Sequence, residues 1–158
     1  MKEGIIDILL AEDNADDVEI TKRALKESRV INRLFVVRDG EEALDYLFHK
    51  GQYQDKNKSP RPGLILLDIN MPRMNGIDVL KRIKADVSLR FIPVVMLTVS
   101  RRDEDVVKSY DLGCNSFIAK PVDFDKFVEL IKEINLYWGV LNVGIPPAYL
   151  TKDSEEGK

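Results

Sequence analysis

Four short apolar segments, far apart in the chain, each run out on an ionic or hydroxyl group. They are Leu9-Leu10-Ala11-Glu12-Asp13, Leu64-Ile65-Leu66-Leu67-Asp68, Val94-Val95-Met96-Leu97-Thr98 and Phe117-Ile118-Ala119-Lys120. Runs of this length and type suit strands buried on both faces of a parallel sheet. Parallel strands point the same way, so their C-terminal ends share one edge, where open α/β sheets bind ligands. Three carboxylates, one hydroxyl and one ammonium are therefore expected in one pocket, the composition of a Mg²⁺ and phosphoryl site.

The intervening stretches read as helices. Asn14 is a good N-cap, and Asp16, Asp17 and Glu19 follow it at the positive end of a helix with Val18, Thr21, Ala24, Leu25 and Ser28 on its inner face. Leu34 to Val37 reads as a second strand, broken by Asp39-Gly40 before a helix carrying Ala43, Leu44, Leu47 and Phe48. Gly51 to Gly63 is polar, contains Pro60 and Pro62, and is expected to be a mobile surface loop. Ile77, Leu80 and Ile83 mark an amphipathic helix ending near Asp86, and Pro93 opens the next strand, where a missing N–H costs least.

Asp103 to Leu112 reads as a helix stopped by Gly113, and Phe124, Phe127, Val128, Ile131 and Ile134 keep a helical repeat to the last one. Alternation of this kind predicts an α/β fold, a doubly wound five-stranded parallel sheet with five helices. Residues 4–137 are expected to form the domain, and residues 138–158 a C-terminal extension that is first apolar, then polar.

Composition narrows the class. A chain of 158 residues that is 44% hydrophobic and 32% charged is an ordinary globular protein with room for one real core. A net charge of −3 and no dense basic cluster argue against a nucleic-acid surface. The single cysteine, Cys114, excludes an internal disulfide or zinc framework and is expected in a turn without chemistry. No apolar segment is long enough to span a bilayer, no signal-type apolar region opens the chain, and a cytoplasmic location is the expectation. His49 reads as a surface residue at a helix end rather than a ligand.

Asp68 is the candidate nucleophile, because a carboxylate at a strand tip can attack phosphorus and become an acyl phosphate. Crowding Glu12, Asp13 and Asp68 without a cation is repulsive, and Mg²⁺ with hard oxygen ligands relieves that. Lys120 supplies positive charge for the phosphoryl oxygens, and the Thr98 hydroxyl can donate to them.

With these residues in order, the chain resembles a receiver domain of a two-component response regulator from about Ile5 to Ile134. The motifs are Glu12-Asp13, Asp68-Ile69-Asn70-Met71-Pro72, Gly76, Thr98 and Lys120-Pro121. The resemblance implies a flavodoxin-like receiver fold in which Asp68 takes phosphate from a histidine kinase. Asp13, Asp68 and the backbone carbonyl of Asn70 would hold Mg²⁺, Glu12 acting through water, while Thr98 and Lys120 grip the phosphoryl group. It also implies a switch in which Thr98 moves toward the phosphate and Phe117 turns inward. That repacks the face of the fourth helix, fifth strand and fifth helix, roughly Asp103 to Tyr137. Pro121 is expected after a cis peptide.

Two departures bear on that switch. Phe117 lacks the hydroxyl of a tyrosine, and the β-branched Val99 stands where small residues are frequent, restricting the ring's path. Asn70 and Ser100 flank the water's route to the acyl phosphate and are expected to tune its lifetime.

The 51–63 loop, Ser109-Tyr110-Asp111-Leu112-Gly113 and Lys120-Pro121-Val122-Asp123-Phe124 are similar to a stand-alone subgroup that partners phytochrome-type or hybrid sensor kinases and often dimerises. Tyr110, Tyr137, Trp138, Val140 and Leu141 are the expected dimer or partner surface. The expected protein is a switch, not a turnover enzyme, acting through an unknown downstream protein. The alternatives are a phosphate-independent docking or dimerisation module, and an aspartyl-phosphate phosphatase, which Ile69-Asn70 after Asp68 disfavours.

Overall fold

The computed structural model describes residues 5–27, 31–98, 106, 108, 110–114, 116–119, 125 and 129. Strands β1 (Ile5–Ala11), β2 (Ile31–Val37), β3 (Leu64–Asp68), β4 (Val94–Thr98) and β5 (Ser116–Ala119) form a parallel sheet in the order β2-β1-β3-β4-β5. Helices α1 (Ala15–Glu27), α2 (Gly40–Leu47) and α3 (Gly76–Ala85) fill the connections between the first four strands. The chain steps from β1 outward to β2, then back past β1 to β3. That reversal opens a crevice at the carboxyl ends of β1 and β3. Residues 106, 108, 110, 111, 125 and 129 are helical.

The period-two alternation of the strands divides the core between the two faces. Leu9, Ala11, Ile65, Leu67, Val94 and Met96 face the inner sides of α2 and α3, where Ala43, Leu44, Leu47, Ile77, Leu80 and Ile83 are buried. Ile8, Leu10, Leu64, Leu66, Val95 and Leu97 face the other way, toward Val18, Ala24 and Leu25 of α1. Both faces of β1 and β3 are covered, which is why these strands read as unbroken apolar runs.

Helix starts follow the capping residues. Asn14 Oδ1 accepts from Asp17 N at 3.0 Å, Asp39 Oδ1 from Glu42 N at 2.8 Å, and Asn75 Oδ1 from Asp78 N at 2.9 Å. Each satisfies an amide that no helical carbonyl can reach. At Gly113 the backbone turns to φ 94°, the left-handed conformation that ends a helix, and its N–H donates to Tyr110 O.

Two expectations are corrected. The second strand is longer than the apolar run Leu34–Val37: it begins at Ile31 and pairs with β1 from Ile5↔Ile31 to Ala11↔Val37. Asn32 and Arg33 hid its start, and Arg33 is there because Asp7 stands directly opposite. The segment 51–63 is tied down. It opens with a 3-10 turn, Gly51–Tyr53; Tyr46 Oη donates to Pro60 O at 2.9 Å, His49 Nε2 contacts Ser59 O at 2.8 Å, and Gly63 N donates to Asp7 O at 2.7 Å. Cys114 follows the turn at Gly113, where it was expected, and its side chain is a buried member of the core.

Val99, Ser100, Lys120, Pro121, Tyr137, Trp138, Val140 and Leu141 lie outside the described residues, as does Ser28. Among the described residues no helix is long and apolar enough to cross a membrane.

Candidate functional site

The crevice between β1 and β3 gathers the acids. Glu12 and Asp13 follow the last residue of β1, and Asp68 is the last residue of β3, one step beyond the Ala11↔Leu67 pair. Carboxylate oxygens of Glu12, Asp13 and Asp68 lie within 4.8 Å of one another. Glu12 is 1% exposed and Asp68 5%, while Asp13 faces solvent. Glu12 is held by its own backbone, whose N–H donates to Val37 O, and by Asn14 N, which donates to Glu12 Oε2 at 3.3 Å. Asn70 N donates to Asp68 Oδ1 at 3.2 Å, folding the following loop back over the carboxylate.

Two carboxylates at this separation repel by about 1 kcal/mol in water and by several times that near a protein surface. Burial of Glu12 and Asp68 raises the cost further. The donors are all oxygens, with no histidine or thiolate among them, which suits a hard divalent cation and not zinc or copper. The residues present fit such an ion.

The loop after Asp68 is tightly wound. Met71 N donates to Ile69 O at 3.2 Å, Met74 N to Pro72 O at 2.8 Å and Gly76 N to Ile69 O at 2.8 Å. A Cβ added at Gly76 would stand 2.1 Å from the Asp68 carbonyl oxygen. Only glycine lets α3 start directly against the peptide of the candidate nucleophile.

Strand pairing brings Thr98 to the same edge. Asp68 pairs with Leu97, so Thr98 lies one residue further along β4, opposite Ala119 of β5. Lys120 is the next residue in sequence after Ala119. Phe117 is half-buried, pairs with Met96 and packs on the core cluster beside α2 and α3. Tyr110 is helical and 49% exposed. His49 points at Ser59 and takes no part in the site.

Sequence reasoning missed Gly40, Asp39 and Arg73 as neighbours of the site. Asp39-Gly40 was legible only as a chain break, and Arg73 only as part of a turn-rich stretch.

Comparison with known proteins agrees with this geometry. The family model described as the response regulator receiver domain matches residues 8–132. The response regulator Rcp1 of Synechocystis sp. is 38% identical over 131 residues, covering 83% of this chain and 87% of that protein. The structure of Rcp1 in its Mn²⁺-bound form superposes with a TM-score of 0.74 at 37% identity, covering 89% of this chain and 99% of that one. The phosphorylated cyanobacterial phytochrome response regulator RcpA gives 0.74 at 38% identity, covering 87% and 96%. The bacteriophytochrome response regulator RtBRR gives 0.75 at 43% identity, covering 96% and 90%.

Proposed function

The chain belongs to the response regulator receiver domain family, and we propose that it is a single-domain phosphoacceptor switch loaded at Asp68 by a sensor histidine kinase of the phytochrome type. The observation that carries this reading is the convergence of Glu12, Asp13 and Asp68 within 4.8 Å at the strand-end crevice. The full complement of the fold is then five strands and five helices, with the extension after residue 137 outside it.

Mg²⁺ is the cation we assign, held by Asp13, Asp68 and the Asn70 carbonyl, with Glu12 acting through water. When bound it supplies positive charge for the carboxylates and for the incoming phosphoryl oxygens. A Mn²⁺-bound relative supports a divalent ion at this kind of site. The Asp68 carboxylate attacks phosphorus as the P–N bond of the kinase phosphohistidine breaks, leaving the imidazole on the kinase and an acyl phosphate here. Asp68 is positioned for this by the Asn70 amide and by Gly76 at its back. Thr98 and Lys120 grip the phosphoryl group, and Asn70 and Ser100 set its lifetime by controlling the approach of water.

The switch runs through Thr98 and Phe117 to the face of the fourth helix, β5 and the fifth helix, with Val99 restricting the ring. Val99→Ala is expected to ease it, read as phosphorylation-dependent chemical shifts around Phe117. A cis peptide before Pro121, which would direct Lys120, belongs to this reading, and both residues lie outside the described ones. Output passes to a downstream protein in the cytoplasm, and the chain turns over no substrate of its own.

The test is intact-mass spectrometry after incubation with acetyl phosphate, with and without Mg²⁺, on wild type and Asp68→Asn. One phosphoryl group that requires both Mg²⁺ and Asp68 is expected. A wild type that takes up no phosphate and binds no beryllofluoride would leave the phosphate-independent docking module instead.

A further inference from the structure

The loop that carries Asp68 and Asn70 leans sideways on the first turn of α2. A Cβ added at Gly40 would stand 2.1 Å from Met74 O and 2.7 Å from Met74 Cβ, so the α2 backbone and the Met74 peptide touch directly. The neighbouring Arg73 holds the left-handed backbone conformation, φ 67°, which a long side chain seldom adopts without a reason. Its guanidinium reaches back to the same helix end, Nε standing 3.9 Å from Asp39 Oδ2 and Nη1 3.7 Å from Glu41 Oε2. Asp39 thus serves both sides: Oδ1 caps α2 and Oδ2 faces Arg73.

The loop from Ile69 to Asn75 is pinned at its ends by Asp68 in β3 and by Gly76 against the Asp68 carbonyl. Contacts at Met74 and Arg73 fix it between those ends. Exposed ion pairs at these distances are weak singly, and the backbone contact at Gly40 is the stronger restraint. A metal-facing carbonyl displaced by a fraction of an ångström loses much of its value, so what fixes the loop governs the site.

We propose that the N-terminus of α2 is a positioning platform for the acceptor loop, in which Gly40, by admitting the Met74 peptide, and Arg73, by reaching Asp39 and Glu41, set the affinity for the divalent cation. This rests on the phosphoacceptor reading of the same site. Neither residue touches the cation; both act through the loop.

The test is isothermal titration of Mg²⁺ into the full chain, as wild type, Gly40→Ala, Arg73→Ala, Arg73→Lys and Gly51→Ala. Gly40→Ala is expected to raise the Mg²⁺ dissociation constant roughly tenfold, the scale on which groups supporting metal ligands act. Arg73→Ala is expected to raise it about two- to fivefold, the range of an exposed ion-pair set, with Arg73→Lys closer to wild type. The sign is the discriminating readout. Removing a cation from an acidic neighbourhood tightens Mg²⁺ binding by simple attraction, and only a positioning role weakens it. Gly51 sits past the other end of α2 at φ 58° with nothing within 4 Å of an added Cβ. Gly51→Ala therefore strains the backbone without touching the loop and is expected to leave Mg²⁺ affinity unchanged.

A folded Gly40→Ala with wild-type Mg²⁺ affinity overturns the proposal, as does a Gly51→Ala that weakens binding as much as Gly40→Ala. If Gly40→Ala does not fold, Arg73→Ala decides alone, and unchanged or tighter binding overturns it. A wild type that binds no Mg²⁺ instead overturns the phosphoacceptor reading beneath.

Discussion

Asp7 is nearly buried on β1, and Arg33, directly across on β2, donates to both its oxygens, at 2.6 Å from Nε and 2.8 Å from Nη2. The partners are unequal, since the arginine side chain is 58% exposed and the aspartate side chain 9%. Arg33→Ala strands a carboxylate with little access to water, whereas Asp7→Asn frees a guanidinium that is already hydrated. Arg33→Ala should lower the urea midpoint more than Asp7→Asn does, and equal losses would mean the pair is worth only its exposed half. At the acid cluster the effect is reversed. Asp68→Asn removes one of three crowded charges, so in the absence of divalent ions the variant is expected to be more stable than wild type by ~1 kcal/mol. Wild type should gain about 2.7 kcal/mol when Mg²⁺ stands at a hundred times its dissociation constant. Asp68→Asn should gain little, and chemical denaturation at two Mg²⁺ concentrations measures both. These acids were readable as a site because each ends an apolar run, whereas nothing local marks Asp7 and Arg33 as partners across two strands.

Between α2 and β3, order comes from side chains rather than from secondary structure. Tyr46 is buried, packs at 5.9 Å from the Phe35 ring and 5.2 Å from that of Tyr53, and donates its hydroxyl to Pro60 O. Tyr53 in turn donates to Glu42 Oε1 at 2.8 Å, fastening the 3-10 turn to α2. Tyr46→Phe keeps the ring and loses the donor, which should cost about 1 kcal/mol and speed hydrogen exchange or proteolysis within 51–63. Burial first, and the nearby Asp7 charge second, push the Tyr46 phenol well above its usual range. The hydroxyl is thus held in its donor form in the folded chain. Its contribution is whole below about pH 10, the unfolded value, and is lost as pH rises through the folded one. Wild-type stability should accordingly fall faster than that of Tyr46→Phe above that pH. The helices themselves were legible from caps and periodicity. The 51–63 segment was not, because its proline and polar residues look the same whether or not a tyrosine upstream holds them.

For the whole molecule, the arrangement of β1 and β3 around the chain reversal gathers acidic side chains at one end of the sheet. The apolar residues Tyr137, Trp138, Val140 and Leu141, with exposed Tyr110, are expected to dock a second copy. Light scattering on wild type and Trp138→Ala, with and without beryllofluoride, should show a dimer that the substitution weakens; a monomer throughout at high concentration would reject this surface. Some of this architecture is inherent in the string of residues. Buried parallel strands must be apolar on both faces, so their ends stand out wherever a charge follows, and parallel connection sends those ends to one edge. Fold class, strand-end acids and helix caps are local or periodic signals of that kind. The seating of the Ile69–Asn75 loop on α2, the Asp7–Arg33 pair and the fastened 51–63 segment are different. They join residues whose separation in sequence carries no period, such as Gly40 with Met74. Only packing in three dimensions decides such contacts, because their energy depends on backbones meeting at a distance that no single segment specifies.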